Sequence, residues 1–236
     1  MKFSLVIPCY NEADSLPMLF LSLKEVALKR ELEIIIVDNG STDDTQKILL
    51  SLIKDYSFIT LVKVELNTGY GNGILAGLNI ASGEIIGWTH ADLQTSPNDF
   101  LKGIKLFEDS ANYNKLFVKG RRYGRPFFDV IFTTFMSVFE TFLLKTLLWD
   151  INAQPTLFHR SFYDKWANPP IDFSLDLFAY VLAKKEKLTI ERFPVNFNKR
   201  VYGISSWNIS VFAKYNFILK TIKYSFKLKK TINNHV

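Results

Sequence analysis

The apolar run Ile85-Ile86-Gly87-Trp88 leads straight into Thr89-His90-Ala91-Asp92-Leu93-Gln94. In extended chain the side chains alternate between faces, so His90, Asp92 and Gln94 would point one way and Ala91 and Leu93 the other. An imidazole, a carboxylate and an amide oxygen gathered on one side can ligate a divalent cation, Mg2+ or Mn2+. The same residues also suit a capped strand-to-helix turn, and so short a motif does not choose between the two. Asp38 ends another apolar run, where it can accept from a ribose or a base at a sheet edge, or cap a helix. Asn67-Thr68-Gly69-Tyr70-Gly71-Asn72-Gly73 precedes a helical stretch, so its backbone amides could approach a diphosphate and add the field of a helix N-terminus. That segment lacks the lysine of a phosphate-binding P-loop. A dinucleotide fingerprint belongs in the first strand-to-helix turn, which here reads Pro8-Cys9-Tyr10-Asn11-Glu12 without a glycine, and this disfavours a nicotinamide enzyme. Neither His90 nor His159 stands with a nucleophile-elbow sequence, which leaves a Ser-His-Asp hydrolase unsupported.

The elements that must hold these residues alternate between strand and helix. Phe3 to Ile7 is strand-like, and Leu16, Leu19, Phe20, Leu23, Val26 and Ala27 then recur at helical spacing. Ile34 to Val37 is of the β-branched type expected of a strand buried on both faces, with Ser41 or Thr42 placed to cap the next helix. A third strand is expected near Ile59 to Leu66, a helix through Ile80, and a fourth strand at Ile85. Such alternation predicts an α/β fold with a mostly parallel central sheet, right-handed crossovers and a chemically active carboxyl edge. Beyond Asn112 the pattern predicts a strand at Leu116 to Val118, an aromatic helix over 128–148, a helix around Leu175 to Lys184 and a strand near Leu188 to Phe193. No internal repeat or low-complexity linker interrupts the chain.

With 236 residues, of which 48% are hydrophobic, the chain fits one large domain with a sizeable core. Its 21 phenylalanines, many beyond Pro126, suggest an apolar contact besides that core, and a membrane surface is the obvious one. Within the aromatic helix Asp129, Glu140 and Lys145 would each cost about 2.5 to 3.5 kcal/mol at a bilayer centre, which argues against a span. Asp129, Thr133, Ser137 and Glu140 share one side; Ile131, Phe132, Phe135, Val138, Phe139, Phe142 and Leu143 form a broad apolar side, to be packed on the core or laid on lipid. The net charge of +6 is concentrated in the tail, where Lys214 to Lys230 includes six lysines and no acidic residue. A nucleic-acid binder should instead carry its basic face on the folded core, so nucleic acid is not expected as a partner. Val211, Tyr215, Ile218, Leu219, Ile222 and Phe226 fall on one face of this tail, flanked by Lys220, Lys223 and Lys227, as in a helix resting on anionic headgroups. The division expected is therefore a domain over 1–206 and a basic amphipathic tail over 207–236. The single cysteine, Cys9, precludes an internal disulfide, and Met1 leads into strand rather than a leader, so the expected location is cytoplasmic, peripheral on the inner face of the cell membrane.

In order, Val6-Ile7-Pro8-Cys9-Tyr10-Asn11-Glu12, Ile36-Val37-Asp38-Asn39-Gly40-Ser41-Thr42-Asp43, Asn67-Thr68-Gly69 and Ala91-Asp92-Leu93-Gln94 resemble the signatures of family 2 glycosyltransferases. Within that family they are most similar to the dolichyl or polyprenyl phosphate sugar transferases. The likeness continues through Gly120-Arg121-Arg122, Asp150-Ile151-Asn152-Ala153-Gln154-Pro155 and Arg200-Val201-Tyr202-Gly203-Ile204-Ser205. It implies a GT-A fold, a nucleotide-sugar donor, a divalent cation and inversion at the anomeric carbon. Pro8, Tyr10, Glu12 and Asp38 would then line the nucleoside pocket, with Asn67 and Gly69 on the donor side. Asp92 and Gln94 would sit by metal and diphosphate, and Arg121, Arg200 and Ser205 would meet phosphates of donor or acceptor. The family usually reads Asp-x-Asp where this chain has His90-Ala91-Asp92, and Ser206 and Trp207 stand where a lysine often follows. A polyprenyl phosphate acceptor is already anionic and needs no base, whereas a hydroxyl of a lipid-linked or surface glycan does, and Asp176 is the candidate base with Asp172 the weaker one. A non-catalytic nucleotide-sugar-binding partner protein is the reading from another class, motivated by His90.

Overall fold

The structure is a computed structural model that describes residues 1–198, 200 and 211–233, the side chains of the last helix over 218–231 alone. A seven-stranded sheet runs through it in the order β3-β2-β1-β4-β6-β5-β7. Its strands are β1 (Phe3–Cys9), β2 (Glu33–Asn39), β3 (Ile59–Val64), β4 (Ile85–Trp88), β5 (Leu116–Tyr123), β6 (Thr156–His159) and β7 (Thr189–Asn196). β1, β2, β3 and β4 are mutually parallel, and β5 pairs in parallel with β7. β6 runs antiparallel between β4 and β5, so the sheet is mostly parallel as its sequence implies, with one reversed strand that the sequence left unmarked. That strand is only Thr156–His159, too short for a period to register.

The helices are α1 (Leu16–Lys29), α2 (Thr45–Leu52), α3 (Tyr70–Ile80), α4 (Asp99–Glu108), α5 (Phe127–Leu144), α6 (Arg160–Tyr163), α7 (Leu175–Lys185) and α8 (Val211–Asn233). Leu16, Leu19, Phe20, Leu23 and Val26 of α1 are buried on one sheet face with Phe100, Ile104 and Phe107 of α4. Ile74 and Leu78 of α3, with most of α7, fill the other face. Burial on both faces is why β1 and β2 read as unbroken apolar runs.

The aromatic helix stops at Leu144, short of the expected 148, because Lys145 adopts a left-handed conformation (φ 50°) that cannot continue it. Its orientation is the reverse of a core-packed helix. Ser137 and Glu140 are buried, while Phe127, Phe128, Ile131, Phe135, Val138 and Phe142 are exposed. The inner polar side meets α8, whose Ser225 hydroxyl donates to Glu140 Oε1 at 2.6 Å. α8 turns Ser225 and Leu228 inward, and Phe226 of its expected apolar stripe stays half exposed beside exposed Lys223 and Lys227. Among the described residues α5 is the one helix long and apolar enough to cross a membrane by length and composition.

Candidate active site at the carboxyl edge of the sheet

Parallel pairing of β1 with β2 delivers their following loops side by side, and short side chains lock them together. Asp38 is buried, and its Oδ1 accepts from the Ser41 N–H at 3.0 Å. Asn11, with φ 54°, donates its N–H to Ser41 Oγ at 3.1 Å and accepts at Oδ1 from the Thr42 N–H at 2.8 Å. Ser41 and Thr42 thus tie one loop to the other instead of capping α2. That helix begins at Thr45 after Asp44, and Asp43 Oδ1 accepts the Thr45 N–H at 2.9 Å. The next link is the Glu12 N–H, which donates to Thr45 Oγ1 at 2.8 Å. The Glu12 carboxylate itself pairs with Arg200. Burial pushes this carboxyl up, the Arg200 cation draws it part of the way back, and the nearby charge of Asp92 adds to the rise. Pro8 is the penultimate residue of β1, before these loops, and Tyr10 is exposed just after the strand.

The glycines of the third loop serve packing at close quarters. Gly69 has φ 143°, and a Cβ there would lie 2.4 Å from the Ile171 carbonyl oxygen; one on Gly71 would lie 2.7 Å from that of Pro170. The Asn72 N–H donates to Ile171 O at 2.8 Å, and the Asn39 amide donates to Gly69 O at 2.9 Å. Asn67 leads into this turn, so its segment is pressed onto the chain just before α7.

Beyond β4 the chain turns sharply, with Leu93 at φ 57° and Asp92 Oδ1 accepting the Gln94 N–H at 3.1 Å. Gln94 O accepts from the Asn198 N–H at 2.8 Å and its Nε2 donates to Asn198 O at 3.2 Å, which brings the chain after β7, and so Arg200, to this edge. The His90 ring stacks on Tyr70 (5.5 Å between centroids, 27° between planes), and Tyr70 stacks on Phe173 at 5.0 Å. Among the described residues no group of three or more His, Cys, Asp or Glu side chains forms a ready metal cage. A cation that arrives with phosphates needs only one or two protein carboxylates. Asp92, with the Gln94 amide beside it, fits that role; the His90 ring is engaged by Tyr70.

On the far side of the edge the structure promotes residues that the sequence left in the background. Arg121 is exposed, whereas Arg122 turns in and grips Asp150 with its N–H at 2.9 Å and its Nε at 2.8 Å. Arg125 approaches the same carboxylate at 3.7 Å. Burial alone would raise the Asp150 carboxyl; Arg122 and Arg125 more than offset this and hold it below the usual range. Alternation along β5 is the signal that separates Arg121 from Arg122. Nothing in the sequence places Arg125 here, because its position depends on where α5 begins. A cleft lined by Arg122, Thr133, Glu140, Asn152, Phe173 and Thr221 opens beside the pair. Asp176 is buried within α7, and its Oδ1 accepts from Gln154 Nε2 at 2.6 Å and Lys119 Nζ at 3.4 Å. Asp172 Oδ1 accepts the Ser174 N–H at 2.9 Å at the start of α7. Ser205 lies outside the described residues.

Acidic side chains thus gather at the carboxyl edge of a mostly parallel sheet, and a cleft lined in part by Arg122 lies beside them, on a fold of the GT-A type. The match to the profile of Glycosyl transferase family 2 spans residues 4–166, and the chain belongs to that family. The undecaprenyl-phosphate 4-deoxy-4-formamido-L-arabinose transferases of Yersinia enterocolitica (36% identical over 111 residues) and Proteus mirabilis (38% over 116) are similar over 46% of this chain. The match spans 34% of the length of each of these relatives, about a third. Glucosyl-3-phosphoglycerate synthase from Mycobacterium tuberculosis, solved with Mn2+, UDP and glucosyl-3-phosphoglycerate, superposes with a TM-score of 0.71 at 15% identity. That superposition covers 96% of this chain and 80% of the synthase. A mannosyltransferase from Pyrobaculum calidifontis, in complex with GDP-Man and Mn2+, gives 0.61 at 21% identity over 85% of this chain and 57% of its own.

Proposed function

We propose that the protein is an inverting glycosyltransferase that moves a sugar from a nucleotide-sugar donor to a polyprenyl phosphate at the cytoplasmic membrane face. The observation that carries this is the position of the Arg122–Arg125 cluster, which exceeds its one buried carboxylate, Asp150, in charge and leads directly into the outward apolar stripe of α5. Guanidinium forks suit a phosphate, and the stripe suits the chain attached to it. Family membership and the names of the curated relatives support the same class of acceptor.

The donor base and ribose would lie by Pro8, Tyr10, Glu12 and Asp38, with Asn67 and Gly69 behind them. Asp92 and Gln94 would hold a divalent cation, Mg2+ or Mn2+, and when bound the ion offsets charge developing on the leaving diphosphate. Arg200, kept at the edge by Glu12, stands ready for a donor phosphate, and Arg121 and Ser205 keep their proposed phosphate roles. An oxygen of the acceptor phosphate attacks the anomeric carbon while the bond to the nucleoside diphosphate breaks on the opposite face. An anionic acceptor needs no general base. Asp176, enclosed by Lys119 and Gln154, suits an anchoring role better than proton abstraction, which weighs against a glycan hydroxyl as acceptor.

α5 and the lysines of α8 would rest on the membrane, with α5 lying along the surface because Glu140 and Ser137 face protein. Arg125→Ala is expected to raise KM for the lipid phosphate about tenfold and leave that for the donor unchanged, as loss of one charge-assisted contact does. Turnover that depends on a saccharide acceptor and ignores Arg125 would overturn the reading.

A further inference from the structure

Lys119 is a lysine with no exposure at all, in the middle of β5. Its Nζ donates to Thr156 Oγ1 at 2.7 Å across the β5–β6 pair and lies 3.4 Å from Asp176 Oδ1. Burial pulls its pKa down to about 8, and the Asp176 charge resists that fall. A buried ion pair gains little stability over apolar side chains of the same volume, so one retained beneath a site invites a reason in the site. The contacts supply one. Asp176 Oδ1 accepts from Gln154 Nε2 at 2.6 Å, the same Nε2 reaches the Tyr70 hydroxyl at 3.3 Å, and Tyr70 stacks on His90, two residues before Asp92. Tyr70 thus stands between two rings, Phe173 and His90, with its hydroxyl fixed from below.

We infer that Lys119 is a positioning residue for the reaction. It keeps the Asp176 side chain in place, and the line Asp176–Gln154–Tyr70 sets the position of the His90 ring at the edge that carries Asp92. Lys119 touches neither substrate nor cation; it acts through the side chains above it. Only the turnover arm of the following test rests on the transferase reading.

The full chain carries three histidines, His90, His159 and His235. In the protein without ligands, the His90 ring signal, assigned with His90→Gln, reports its stacking on Tyr70 by NMR. Lys119→Met is expected to move the His90 signal while that of His159 stays, and to lower kcat about tenfold or more, with donor KM little changed. Gln154→Leu cuts the line without stranding a charge and should displace His90 in the same way. In that background Lys119→Met should add nothing. Should Lys119→Met alone fail to fold, Lys119→Met with Asp176→Leu removes both charges and is expected to displace His90 at a melting temperature near that of the parent. An unmoved His90 signal in the variants that fold, or an undiminished effect of Lys119→Met after Gln154→Leu, would overturn the inference. Absence of transferase activity in the unaltered protein would sink the proposed function and leave the NMR arm intact.

Discussion

His90 and Asp92 show how little separates a ligand from a neighbour at this edge. Extended chain would set both on one face, but the segment bends after β4, so the imidazole lies against Tyr70 while the carboxylate accepts the Gln94 N–H in its own turn. His90→Asp exchanges an aromatic contact for a second oxygen donor, and oxygen suits Mg2+ better than imidazole does. The ratio of turnover with Mg2+ to turnover with Mn2+ is therefore expected to rise in this variant; an unchanged ratio would place residue 90 beyond reach of the cation. Legibility at this scale followed chemistry in some places and packing in others. Asp38, Asp92 and Gln94 could be picked from the sequence because each stands at or shortly beyond the end of an apolar run, and Glu12 through the resemblance of its motif. Asp150 and Gln154 stood in a resembling motif without a role and Arg125 in none, because what they do depends on contacts from distant parts of the chain. Arg121 and Arg122 share one motif, and only the pleat of β5 decides which of the two turns in.

The pair α5 and α8 behaves unlike the helices of the core. Glu140 is buried against Ser225, and burial raises its pKa from 4.5 to about 7, with the Ser225 hydrogen bond opposing the rise. Because the folded value lies above the unfolded one, docking through Glu140 is favoured fully below about pH 4.5 and weakens as pH climbs through 7. Glu140→Gln keeps an acceptor for Ser225 without the charge, so it should raise stability at pH 8 by on the order of 1 to 3 kcal/mol and flatten the dependence between pH 5 and 8. Melting curves across that range check this, and a loss of stability at pH 8 would refute it. The outer face of α5 makes the complementary prediction. Phe128, Phe135 and Phe142 are 80%, 69% and 79% exposed, so their joint replacement by serine should leave the melting temperature near that of the parent. Co-sedimentation with anionic liposomes should fall sharply, and undiminished binding would remove α5 from the membrane contact. From sequence the helix and its two sides were readable; which side faces protein was not, since a buried Glu and an exposed Phe both run against composition.

At the scale of the whole molecule, the fold follows from alternation. β1, β2 and β4 were legible because burial on both faces demands apolar runs, and β3, at the sheet edge with only Ile59 buried, through its β-branched residues; parallel pairing then places every following loop on one edge. β6, the reversed strand, escaped because its position between β4 and β5 is set by tertiary pairing. By that insertion β5, and with it Lys119 and Arg122, stands one strand farther from the loops that follow β1, β2 and β4. The proposed transfer is to a lipid phosphate. Its most direct measurement is mass spectrometry of the lipid product after incubation with undecaprenyl or dolichyl phosphate in vesicles, Mn2+ or Mg2+, and a panel of UDP-, GDP-, CMP- and dTDP-sugars. A glycosyl polyprenyl phosphate should form from at least one donor without any saccharide acceptor, and Asp92→Asn should cut its rate about a hundredfold or more. No lipid product from any donor, with sugar appearing instead on a glycan hydroxyl, would contradict it.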